Sequence, residues 1–170
     1  MTYLNTTNEK IENFEIYLRP LQREDAQISW RWRNDPDVWK FTLKQPDCYV
    51  TQEIEELWID KVLADKNRLN FAICLKATNQ YIGNIYLTDI DWQEKSGYQH
   101  TFIGEKKIWG KGIGTKARIL LHQLLSREYR IKKIYSEIRE DNIASIKSAL
   151  KSGFIEFERR DGYIIFIKEL

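Results

Sequence analysis

Apolar and polar positions change period several times along this chain, and each change marks an element. Glu15 to Arg19 alternates around Ile16 and Leu18 and predicts a first strand, stopped by Pro20. Arg23 to Asn34 reads as a helix ended by Asp35-Pro36. Thr51 is a suitable N-cap for a second helix, with an expected apolar stripe of Ile54, Leu57, Trp58, Val62 and Ala64. Three strand-like runs follow: Leu69 to Lys76, Tyr81 to Ile90 and Tyr98 to Gly104. Asn79-Gln80 and Glu94 to Gly97 make short turns between them, so an antiparallel meander is expected.

The period then lengthens. Ile113, Ala117, Leu120, Leu121, Leu124 and Leu125 recur at helical spacing. Lys132 to Ile138 returns to a strand, and Asn142 to Ser152 reads as a helix closed by Gly153. Phe154 to Arg159 and Tyr163 to Lys168 form a hairpin around Asp161-Gly162. The expected order is β-α-α-β-β-β-α-β-α-β-β, a mixed α/β fold. No internal repeat or low-complexity linker divides it. One domain over residues 1–170 is expected, with residues 1 to about 13 as a flexible N-terminal extension.

Composition narrows the function classes. At 42% hydrophobic and 31% charged residues the chain has an ordinary globular balance. A formal net charge of +2 gives no reason to expect nucleic acid. Cys48 and Cys74 form no Cys-x-x-Cys pair, and His100 and His122 are distant from both, so neither a zinc site nor a disulfide framework is expected. The polar start through Lys10 does not resemble a signal peptide, and no apolar run approaches the ~20 residues of a membrane span. A cytoplasmic protein without a metal or membrane partner is expected.

The chemistry concentrates in Trp109-Gly110-Lys111-Gly112-Ile113-Gly114-Thr115, between a strand and a helix. Glycines allow close backbone approach, and the first amides of a helix lack intrahelical partners. Helix dipole and free amides together favour a phosphate or pyrophosphate. The segment is not a P-loop, because Thr115-Lys116 reverses the required order. Gly112-x-Gly114-x-x-Ala117, with Glu137 about 20 residues on, imitates a dinucleotide fingerprint. Against that reading, Glu105 to Lys111 intervene after the strand, and Gln99, His100 and Thr101 make the strand too polar for a parallel core. A plain surface turn is the remaining alternative.

These motifs together resemble the GNAT superfamily of N-acetyltransferases. Gly112 and Gly114 match its acetyl-CoA motif, with Trp109 where glutamine or arginine is usual. That tryptophan resembles the branch of ribosomal-protein N-terminal alanine acetyltransferases. Leu18-Arg19-Pro20-Leu21, Trp32 to Val38, Ile82-Gly83-Asn84-Ile85 with Leu87 to Trp92, and Asp141-Asn142-x-x-Ser145 through Gly153-Phe154 resemble further family segments in order. The resemblance implies a mostly antiparallel twisted sheet with flanking helices, whose splayed strand pair holds the cofactor arm. It implies backbone contacts to pantetheine from Phe102, Ile103 and Gly104. The pyrophosphate would meet amides of Lys111, Gly112, Ile113, Gly114 and Thr115, Trp109 and Gly110 would belong to the same cofactor site, and the arm near the thioester would meet Asn142 and Ser145. A direct transfer needs no enzyme nucleophile.

The chain departs from the family at two catalytic positions. Ala149 stands where many relatives carry a tyrosine acid, and Ser145 is one helical step away on the same face. Tyr98 stands where branch relatives carry a glutamate, and His100 shares that strand face. His100 as base, with an ionisation near ~6.5, and Ser145 as acid or positioning group are the catalytic expectations. The alternatives are a half-buried strand histidine and a serine that only packs. Asp89 and Asp91 are secondary candidates, and His122 reads as structural.

Trp30, Trp32, Trp39 and Phe41, interleaved with Arg31 and Arg33, read as an acceptor region, with at least one tryptophan in the core. Trp32, Asn34 and Tyr98 are the expected acceptor contacts. The acceptor is expected to be a primary amine on a peptide, amino sugar or small amine. An acetyl-CoA-binding module without catalysis and a nucleotide-dependent oxidoreductase are the competing readings, and a homodimer is left open.

Overall fold

The structure is a computed structural model that describes residues 13–42 and 47–170. The expected N-terminal extension lies almost wholly outside the described residues.

Seven strands form one sheet in the order β1-β2-β3-β4-β5-β7-β6. Their ranges are β1 Ile16–Pro20, β2 Leu69–Leu75, β3 Tyr81–Asp91, β4 Ser96–Ile103, β5 Lys133–Arg139, β6 Ile155–Arg160 and β7 Tyr163–Glu169. All neighbours are antiparallel except β4 and β5, which run parallel. Pro20 does not precede the end of β1 but forms it, opposite Phe71. An edge strand tolerates a proline because its outer side needs no donor.

The helices are α1 Ala26–Arg33, α2 Pro36–Trp39, α3 Gln52–Ala64, α4 Ile113–Glu128 and α5 Ile143–Lys151. A 3-10 turn, Arg23–Asp25, leads into α1, and another, Lys106–Ile108, lies between β4 and α4. Asp35-Pro36 ends α1 and also starts α2: the Asp35 side chain accepts from the Asp37 amide and Pro36 occupies the first turn.

Side-chain alternation in β2 splits the core into two layers. Phe71 and Ile73 join Ile85, Leu87, Leu121, Leu125, Ile134 and Phe166 against α4. Ala72 and Cys74 join Leu21, Trp32, Ile59, Val62 and Tyr81 against α1 and α3. The expected stripe of α3 holds in part: Val62 is buried and Trp58 packs against the core, but Ile54, Leu57 and Ala64 are exposed, and Glu55 and Ile59 complete the buried face. Glu55 can occupy that face because Ser29 Oγ donates to it at 2.7 Å and Arg33 Nε lies 3.3 Å away.

The site is set by β4 and β5. They pair only through Ser96↔Lys133, Gly97↔Ile134 and Tyr98↔Tyr135. Beyond that rung β4 stays on β3 and β5 stays on β7, so the two half-sheets diverge.

Candidate functional site at the strand divergence

A cavity of about 960 Å³ occupies the divergence and continues toward α1 and α3. Gln99 to Phe102 of β4 and Ser136 to Arg139 of β5 line its inner part, with Arg118 of α4 and Asn142 and Ser145 at the start of α5. Arg33, Trp39, Glu55, Trp58, Arg68 and Tyr86 belong to its outer part. One cavity thus joins the strand gap to an aromatic and charged chamber.

The glycine loop stands at one end of the gap. Gly110 and Gly112 have φ of 78° and 76°, and a Cβ at either would meet nothing within 4 Å. Gly112 is the N-cap of α4 without a side-chain cap, so the first helical amides have no side chain from the N-cap residue to bond them. The backbone can receive an anion here, and L side chains are disfavoured at both positive-φ glycines. Ile113 packs in the core, and Thr115 Oγ1 donates to Ser148 Oγ at 3.1 Å, tying α4 to α5. Trp109 Nε1 donates to the Ile103 carbonyl at 3.0 Å, holding the loop against the end of β4. Lys111 is exposed at the loop tip.

His100 lies in the cavity wall, stacked on Tyr86 with centroids 5.0 Å apart. Thr88 Oγ1 donates to Asp89 at 2.8 Å and lies 3.1 Å from His100 Nε2. A hydroxyl has one proton, so His100 Nε2 donates to Thr88 and Nδ1 carries the lone pair. Burial, and then the positive charge of Arg68, push its pKa down to about 4. That corrects the expected ionisation near 6.5: the imidazole is neutral at physiological pH and a weaker base than an exposed one.

Asn142 Oδ1 accepts from the Ser145 amide at 3.2 Å, so Asn142 is the N-cap of α5. Ser145 Oγ instead accepts from Arg118 Nη2 at 3.2 Å. Ala149 is fully buried. Asp91 caps the following turn through Gln93 and Glu94, away from the cavity. His122 bridges Gln99 and Lys168 inside the core.

The expected acceptor residues are dispersed. Trp32 is 8% exposed and packs on Tyr81 and Phe102; a Cβ on Gly104 would overlap its ring. Asn34 donates to the Trp30 and Val50 carbonyls and accepts from the Val50 amide, which braces α1 to the segment before α3. Tyr98 stacks on Tyr135 at 5.3 Å across the last shared rung. None of the three lines the large cavity. The outer wall instead has Arg33, with its guanidinium 4.6 Å from the Trp39 ring centroid and 4.9 Å from that of Trp58, and Arg68 at 5.1 Å from that of Tyr86.

A profile of the acetyltransferase (GNAT) domain family matches residues 15–155. The chain belongs to the GNAT family of N-acetyltransferases. It is 26% identical to an uncharacterized N-acetyltransferase, p20, of Bacillus licheniformis, over 92% of each chain. It is 27% identical to an uncharacterized protein of Methanocaldococcus jannaschii over 84% of this chain, which spans 28% of that protein's length. A spermidine N-acetyltransferase from Vibrio cholerae, solved with CoA and spermine, has the same fold at a TM-score of 0.78. That likeness covers 91% of this chain and 95% of the other at 18% identity.

The register refines which backbone groups of this GNAT chain face the gap. Gly104 N donates to the Ile82 carbonyl at 3.0 Å. Alternation then turns Phe102 and Gly104 toward β3, and Thr101 and Ile103 toward the gap. Of the three expected β4 contacts, Ile103 alone has an outward amide, and Thr101 joins it. No group of three His, Cys, Asp or Glu able to hold a metal occurs among the described residues. None of their helices is long and apolar enough to cross a membrane.

Proposed function

We propose that this chain transfers an acetyl group from acetyl-CoA directly to a primary amine bound in the outer chamber. The observation that carries the reading is the continuity of one cavity from the strand gap into that chamber. The glycine loop suits the pyrophosphate, and the outward backbone of Thr101 and Ile103 suits the pantetheine arm as an added strand. A thioester at the vertex would then lie between the donor arm and the acceptor chamber, where attack needs no enzyme nucleophile.

The His100 imidazole is the base of this scheme, acting from Nδ1 or through water on the incoming amine. Ser145 positions the leaving side through its bond to Arg118. Trp109 is the basis for placing the chain near the ribosomal-protein N-terminal alanine acetyltransferases. The relatives reported above bear other names, and the V. cholerae structure supports small amines equally. Mixed charge in the chamber, with Arg33 and Arg68 beside Glu55 and Asp89, suits an amine that also bears an acidic or polar group.

The test is thiol release from acetyl-CoA across peptides, amino sugars and polyamines. Amine-dependent release from one class supports the reading. Stabilisation by acetyl-CoA without release for any class identifies a binding module. Stabilisation by NAD alone overturns the acetyl-CoA assignment.

A further inference from the structure

Arg118 is a buried cation without a counter-charge. It is 3% exposed, on the face of α4 turned toward the sheet. Among the described residues no carboxylate lies within 4.0 Å of its guanidinium. Its partners are two hydroxyls, Ser136 Oγ at 3.5 Å and Ser145 Oγ at 3.2 Å, and Nε has no partner. The Phe154 ring lies 5.8 Å from its centre. A guanidinium taken out of water this completely costs several kcal/mol unless an anion compensates it. Burial pushes its pKa down to about 10, which leaves it charged at neutral pH.

Its place explains the cost. Ser136 is the first residue of β5 beyond the last rung shared with β4, Tyr98↔Tyr135. Ser145 is one turn before Ala149 on α5. The guanidinium therefore sits at the vertex of the gap, beside the helix position where a tyrosine hydroxyl is missing, and it lines the cavity. We infer that Arg118 is a catalytic residue that stabilises the departing CoA thiolate by charge, in place of a proton donor. This rests on the acetyl-transfer reading above. The amine nitrogen forms the new bond to the acetyl carbon, the carbon–sulfur bond breaks, and its electron pair leaves on sulfur. Arg118 keeps its proton. The proton lost by the amine goes to His100 or water, and the thiolate is protonated after release.

The experiment titrates bound CoA by the ultraviolet absorbance of its thiolate, with desulfo-CoA as the blank. A free alkyl thiol ionises near ~8.5, and a neighbouring guanidinium lowers that value. In the wild-type protein the proton affinity of the bound thiol should fall at least ~10-fold, one pK unit. Arg118→Met should restore the free value and lower turnover about 10²–10³-fold, as loss of one preorganised charge-stabilising donor does. Arg118→Lys should retain part of both effects. A wild-type titration equal to that of free CoA overturns the inference without any variant, and so does a lowered pKa that persists in Arg118→Met. Failure of CoA to bind the wild-type protein, seen as no thermal stabilisation, overturns the acetyl-transfer reading itself.

Discussion

Arg118 Nη2 donates to Ser145 Oγ across 3.2 Å and so joins α4 to α5 beneath the divergence of β4 and β5. The contact makes Ser145 an acceptor toward α4, with its own proton available to the cavity. Ser145→Ala removes one of two hydroxyl partners from a buried cation. Stability should fall by about 1.5–3 kcal/mol, the range for a bond to a charged group. Turnover should fall less than for His100→Ala, with acetyl-CoA affinity near normal. Thermal unfolding and steady-state kinetics on one preparation check both.

Two buried histidines contribute to the pH dependence: His122, lowered by burial and then by Lys168, and His100. The folded pKa of His100, about 4, lies below the unfolded value of 6.5, so the unfolded chain binds more protons between the two. Stability attributable to this neutral imidazole is complete above about pH 6.5 and is lost as pH falls toward 4. Urea unfolding between these pH values should show a decline of which His100 supplies up to about 3 kcal/mol, the part removed in His100→Gln, while the part due to His122 remains. In kinetics the base ionisation should appear near 4. His100→Ala should lower turnover by about 10²–10⁴-fold, and unchanged turnover would move the role to Asp89 or water.

Glycine variants separate binding from folding, but not equally well. Gly112 has positive φ, so Gly112→Val strains the backbone and destabilises the fold as well as the anion site. Gly114 has no such constraint, and a Cβ there would lie 3.6 Å from Ser148 Oγ, an ordinary contact. Gly114→Val should fold and lose at least tenfold in acetyl-CoA affinity by calorimetry. Wild-type affinity in that variant would remove the loop from the phosphate site.

Trp32 and Gly104 are a packing pair. Gly104→Ala should cost about 1–3 kcal/mol through overpacking, and Trp32→Ala about 3–5 kcal/mol. The double variant should be less destabilised than the sum, because the smaller side chain vacates the space that the new methyl needs. Additive losses would show that the two residues do not share that space.

The succession of strands along the chain and the glycine loop were legible because alternation and positive-φ glycines leave local marks. Trp109 to Gly114 could be read without knowing any partner. The burial of Glu55 on α3 could not, since its partners Ser29 and Arg33 lie distant in sequence. The packing of Trp32 and the bracing bonds of Asn34 were not legible either, because aromatic and amide side chains serve cores and sites alike. Arg118 belongs to none of the sequence motifs. Its spacing of three, four and seven residues from Leu121, His122 and Leu125 placed it on the buried face of α4 all along. The gap between β4 and β5 depends on where a parallel ladder stops, and no local pattern records that.

Acetyl transfer itself is tested most directly with acetyl-CoA labelled in the acetyl group and the amine panel. The expected result is label in the amine product of one acceptor class, in an amount equal to the thiol released, and loss of both together in Gly114→Val. Thiol release without labelled amine, or no amine-dependent release in a protein that binds acetyl-CoA, would contradict direct transfer at this site.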